Sequence, residues 1–182
     1  MTLFRSALLG SLLTLTAWAQ AHDMTHGDLA IDHPWSKQVP PTSQVAAAFF
    51  AIDNQGKTDD VLLRATSPIA GKTELHAHIH EDGMMKMREV ENIPVPANDK
   101  TLLKPGGLHV MFFDLEAVPT LGEMFPLTLY FKHAGKVNVE VKVEPATYVP
   151  EYMASESVDA DSKKHEGMND GDKHADMSHD HH

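Results

Sequence analysis

Apolar and polar residues alternate along this chain in short runs, most of them closed by Pro, Gly or Asn. Asp28–Trp35 sets Leu29, Ile31 and His33 against polar neighbours and reads as an edge strand ended by Pro34. Val45–Asp53 is apolar on both faces, as in a strand covered on both sides, and the turn Asn54-Gln55-Gly56 closes it. Asp60–Ser67 is a further strand before Pro68. Thr73–His80 alternates strictly, with Leu75, Ala77 and Ile79 on one face and Glu74, His76, His78 and His80 on the other. Glu81-Asp82-Gly83 turns the chain into Met84–Val90 as a hairpin. Ile93–Pro96 is extended and irregular, Lys100–Lys104 is a short strand, and Pro105-Gly106-Gly107 leads into Leu108–Leu115. Phe125–His133 and Lys136–Glu144 flank Ala134-Gly135 as a terminal hairpin. Many short strands and no long amphipathic helix predict an all-β domain, a β-sandwich or a Greek-key barrel.

The two ends of the chain follow other rules. Arg5, the apolar run Ala7–Trp18 and the small-residue site Ala19-Gln20-Ala21 make residues 1–21 a signal peptide. The run is shorter than the roughly 20 residues a membrane span needs, so an exported protein without a span after cleavage is expected. Residues 22–150 are then the domain. From Glu151 the strand signals stop and Ser, Asp, Glu, Lys, His and Met take over, so 151–182 reads as a disordered acidic tail. Eleven basic against seventeen acidic residues give 22–150 a charge of −6, and three against nine give the much shorter tail another −6. Nucleic acid and anionic lipid are poor partners for such a surface.

The chemistry sits in Glu74–Arg88 (ELHAHIHEDGMMKMR) and in His109-Val110-Met111. Thioether sulfur is soft and uncharged, favouring Cu(I) over Zn²⁺, Mg²⁺ or Ca²⁺. The 182 residues include no cysteine, which excludes blue-copper electron transfer, thiol–disulfide exchange and Cys-based zinc sites. A returning hairpin brings Met85 or Met87 back beside His76 or His78, while His109 and Met111 share a face of their own strand. His76, Met87, His109 and Met111 are thus candidates for a near-tetrahedral N₂S₂ copper site. His78 and His80 share that face as secondary candidates. Met84 and Met85 are expected to be packing residues.

The spacing H-x₁₀-M-x₂₁-H-x-M resembles the signature of the PCu(A)C-type periplasmic copper chaperones. The similarity extends to His33-Pro34-Trp35, Ala46–Asn54, Gly83–Arg88 and Leu103–His109, covering roughly Asp28 to Pro145. The resemblance implies a cupredoxin-like β-barrel that binds Cu(I) near its surface. It further implies delivery toward the CuA subunit of cytochrome c oxidase, or to another periplasmic copper-handling protein.

Two further groups of residues bear on copper. His22, the expected new N-terminus, has an α-amine and an imidazole that together chelate Cu(II). In the tail, His165, Met168, His174, Met177, His179, His181 and His182 recur among acidic residues, a compositional metal signal suited to Cu(II). A fully ligated site leaves no open position for a substrate, so a metallochaperone is expected rather than an enzyme. The alternative is a periplasmic copper-buffering or resistance protein with the tail as its main capacity. A copper oxidase or monooxygenase built on His22 lacks a second set of ligands.

Overall fold

The computed structural model describes residues 24–81, 83–150 and 152–153. The expected signal peptide and His22 lie outside the described residues, as do Asp82 and the tail candidates His165, Met168, His174, Met177, His179, His181 and His182. Eleven strands follow one another: β1 Met24–His26, β2 Leu29–Lys37, β3 Val45–Asn54, β4 Asp60–Thr66, β5 Ala70–Glu81, β6 Met84–Glu89, β7 Ile93–Val95, β8 Asp99–Leu103, β9 His109–Leu115, β10 Met124–Phe131 and β11 Lys136–Glu144. The hydrogen-bonded order is β6-β5-β9-β3-β2-β11-β10-β4-β7, with β1 on β2 and β8 on β3. Every pairing is antiparallel except β11 with β2. This is the all-β, cupredoxin-like architecture that the alternation and the resemblance led one to expect. No helix among the described residues is long and apolar enough to cross a membrane.

Alternation explains the core. Val137, Val139, Val141 and Val143 of β11 are buried while the residues between them face outward. They join Ile31, Phe50, Ile52, Leu62, Phe112, Leu127 and Leu129 in one apolar cluster fed by most strands. Burying a side chain of this size contributes about 1.5–3 kcal/mol, so the cluster dominates the favourable side of folding. β3 is buried on both faces, as its unbroken apolar run predicts: Ala46, Ala48, Phe50 and Ile52 point into this cluster, whereas Phe49 packs on Trp35 on the other side.

Two expectations change. β2 is not an edge strand and does not end at Pro34; it runs to Lys37 between β3 and β11. Its pairing with β3 shifts register between Asp32 and Trp35. The break falls at Pro34, which has no N–H to donate, and His33 takes a φ of 51° beside it. Ile93–Val95 is not irregular either. It forms β7 against β4, with Ile93 and Val95 fully buried. Pro94 is tolerated because β7 ends the sheet, where one side of the strand needs no ladder donor.

Contacts with the sheet continue past Pro150. Tyr148 stacks on His33 and meets Trp35 edge-on, and the buried Trp35 Nε1–H donates to the Tyr152 hydroxyl at 3.0 Å. Burial raises the Tyr152 phenol to about 12, so it stays neutral at that contact.

Candidate metal centre

The registers of β5, β6 and β9 assemble the site. Glu81 pairs with Met84, so His80 opposes Met85 and His78 opposes Met87. On the other edge of β5, His76 opposes His109 and Glu74 opposes Met111. Met87 therefore returns beside His78, and Glu89 rather than a methionine lies opposite His76. Glu81 and Met84 lie on one face. Glu74, His76, His78 and His80 are even-numbered on β5 and Met85, Met87, Glu89, His109 and Met111 odd-numbered on β6 and β9, which puts these nine on the other.

A cleft of about 290 Å³ opens on that face, lined by His78, Met87, His109 and Met111 together with Phe49, Ala47 and Gly106 among others. Ala47 lies directly across from Met111, and its short side chain leaves room for the thioether. His76 sits behind this lining, with its ring centroid 5.7 Å from those of His109 and Phe113. The rings of His78 and His109 are 5.4 Å apart. His76 and His109 are buried, while Met87 is 43% exposed, so the centre reaches the surface through a thioether.

Hydrogen bonds decide which imidazole nitrogens remain available. The carbonyl of Gly107 only accepts, so the 3.0 Å contact from His109 Nδ1 fixes the proton there and leaves the lone pair on Nε2. The same carbonyl accepts the backbone N–H of His78 at 3.2 Å, so one turn fixes both strands at the cleft. Gly106 makes that turn possible with a φ of 78°. His76 Nε2 donates to Glu74 Oε2 at 2.7 Å, leaving its lone pair on Nδ1. Glu74 also pairs with Lys72, and hydrogen bonds from Lys72 and then His76 hold its carboxyl below the usual range, hence ionised. Nδ1 of His76 and Nδ1 of His78 are both buried without a hydrogen-bond partner. Burial pushes His109 below the usual histidine range; the Gly107 carbonyl opposes this, and His78 and His76 add to it. A neutral His109 is the form that ligates.

Orphaned buried imidazole nitrogens beside two thioethers fit a soft metal ion. Among the described residues no group of three or more His, Cys, Asp or Glu is arranged to hold one. The thioethers of Met87 and Met111 line the same cleft as His78 and His109. His80 is exposed at the hairpin end, away from the cleft lining. Met84 and Met85, expected to pack, are 60% and 57% exposed because β6 ends the sheet, and among the described residues no strand pairs with its outer side. Sequence reasoning passed over Glu74 as the partner of His76 and Phe49 as the aromatic wall beside His109. The i, i+2 spacing of Glu74 and His76 was a usable signal for the first.

An all-β fold with a His/Met cleft at one end of its sheet defines the class. The chain belongs to the family of LpqE-like putative lipoproteins, whose model matches residues 29–143. It is 29% identical over 138 residues to a putative lipoprotein of Leifsonia xyli subsp. xyli, covering 75% of this chain and 82% of that one. The Cu(I) form of DR1885 from Deinococcus radiodurans is similar in structure, with a TM-score of 0.54 and 26% identity over 71% of this chain and 85% of that chain. The copper-bound PCuAC domain from PmoF2 shares the fold, with a TM-score of 0.59 and 23% identity over 68% of this chain and 98% of that one.

Proposed function

We propose that this protein is an exported copper chaperone of the PCu(A)C type, holding Cu(I) at the cleft through His76, Met87, His109 and Met111. One observation carries the reading: two thioethers and the imidazoles of His78 and His109 line one partly open cleft, with unpartnered Nδ1 atoms on His78 and on His76 behind it, and no cysteine in the chain. Thioethers favour Cu(I), and neutral ligands release a univalent ion by stepwise exchange more readily than thiolates would. The likeness to a Cu(I)-loaded protein at 26% identity supports the same metal. Export is supported by the leader-like first 21 residues and by a relative described as a putative lipoprotein. Copper is cargo in this reading, bound and passed on, toward a CuA centre or another periplasmic copper protein.

His78 lines the cleft more directly than His76, so the second imidazole is an open choice between them. Competition of the loaded protein with a Cu(I) chelator separates the cases. Met87→Ala and Met111→Ala should each weaken Cu(I) binding while the fold survives. Loss on His76→Ala but not on His78→Ala assigns the imidazole to His76. Wild-type affinity in both methionine variants would remove the site.

The His/Met tail supports a second task, capture of Cu(II) by His165–His182 and supply to the core once reduced, at an effective concentration of order mM for a short tether. Deleting 159–182 should then lower copper capacity and slow loading at limiting copper, with core affinity unchanged. Unaltered capacity and loading would leave the tail a solubilising segment.

A further inference from the structure

The geometry points to a second, outer Cu(I) station made by His80 and Met85 at the tip of the β5–β6 hairpin, from which the ion steps to the cleft through His78 and Met87. The inference rests on the copper reading of the cleft and adds a site to it. Its basis is the register. His80 opposes Met85, His78 opposes Met87, and His76 opposes His109 on the neighbouring strand, so three donor pairs follow one another along a single face. Successive pairs are two residues apart, about 7 Å along the strand.

The outermost pair is already in contact, with His80 Nδ1 3.4 Å from Met85 Sδ. An imidazole nitrogen and a thioether are donors that suit Cu(I). Met85 is 57% exposed, whereas His76 and His109 are buried, so the donors run from open solvent into the protein. Two donors hold the ion less firmly than a full set, and ligand exchange toward His78 and Met87 is downhill.

Three charges of the hairpin, Glu81, Lys86 and Arg88, lie on its other face. Glu81 accepts from Arg88 at 2.8 Å and pairs with Lys86 at 3.1 Å, and all three share the parity of Ile79 and Ala77. At the level of His80 and Met85 the donor face offers neutral ligands, matched to a soft univalent cation rather than to a hard divalent one, and its carboxylates Glu74 and Glu89 lie further along, beside Met111 and His76. Met84 lies on the charged face with an exposure of 60%, close to that of Met85. It is a built-in control, equally accessible but outside the row of donors.

The test uses the full chain labelled with ¹³C in its methionine methyl groups, titrated anaerobically with Cu(I). Met87 and Met111 resonances should move first and Met85 next, with Met84 unchanged. In stopped-flow transfer from the loaded protein to a Cu(I) chelator, Met85→Leu and His80→Gln should slow release several-fold. Equilibrium affinity of the cleft should stay within about twofold, as for sites that do not share a ligand. Met84→Leu should behave as wild type. Movement of Met87 and Met111 without Met85, or equal slowing by Met84→Leu, would overturn the outer station and leave the cleft intact. Absence of any shift at Met87 and Met111 would instead defeat the copper reading itself. The substituted residues are exposed, so a loss of fold, checked by circular dichroism, is not expected to obscure the result.

Discussion

Replacing Glu74 by Gln isolates what a carboxylate does for the proposed ligand His76, two residues along the strand. Glu74 is not part of the cleft lining; it accepts the Nε2 proton of His76 at 2.7 Å and so keeps the lone pair on the buried Nδ1. A hydrogen bond to a charged group contributes about 1.5–3 kcal/mol, and a neutral one about 0.5–1.5 kcal/mol. The amide therefore forfeits roughly 1–1.5 kcal/mol of preference for the ligating tautomer, close to tenfold in an equilibrium constant. Its NH₂ group also allows the opposite tautomer, with the proton on Nδ1. Carboxylates behind metal-bound histidines elsewhere contribute about 10–100-fold in affinity, which sets the expected range. Chelator competition should show Cu(I) affinity falling by about tenfold in Glu74→Gln, with circular dichroism unchanged. Lys72→Ala removes only the exposed partner of the carboxylate and should leave affinity near wild type. An unchanged affinity in Glu74→Gln would refute the orienting role and count against His76 as a ligand.

Further outcomes follow from the same geometry. Gly106→Ala meets no neighbouring atom but forces a side chain into a φ of 78°, so denaturant unfolding should show a loss of about 1–2 kcal/mol. Tyr152→Phe leaves the indole N–H of the buried Trp35 without its acceptor and should cost about 1–3 kcal/mol in the same assay, whereas Tyr152→Leu should cost more through lost packing. Thermal melts of the metal-free protein should weaken with acid in two stages. His109 has a lowered folded pKa, so its contribution is complete above about pH 6.5 and is lost as pH falls through the lower folded value. Burial alone would raise Asp60, but N–H donors from His133, Ala134 and Val61 outweigh it and lower the group. Its contribution is present above the ordinary 3.8 and disappears only below that. His109→Phe should flatten the first stage and leave the second.

Parity makes much of this cleft legible in the sequence. Strict alternation in β5 put His76, His78 and His80 on one face, and the i, i+2 spacing of His109 and Met111 did the same on β9. Parity gives the face but not the offset between strands. Here two residues separate Glu81 from Met84, as an Asp-Gly turn favours. A three-residue turn would have set Lys86 against His78 and turned the thioethers away. The prolines misled where their context was tertiary: Pro34 sits at a register shift inside the sheet, and Pro94 on a strand that ends it. Alternation put Glu74 on the face of His76, but the hydrogen bond that gives it a role depends on how the two side chains turn. Met84 and Met85 carried no sign of exposure, because burial depends on β6 being the last strand.

The central claim is that sulfur from Met87 and Met111 meets imidazole nitrogen on one Cu(I) ion. X-ray absorption at the copper edge tests it most directly, on full-length protein loaded with a single equivalent of Cu(I). A mixed nitrogen and sulfur shell is predicted, with the sulfur contribution halved in Met87→Leu and in Met111→Leu. A shell of nitrogen alone, or a sulfur contribution indifferent to both substitutions, would contradict it.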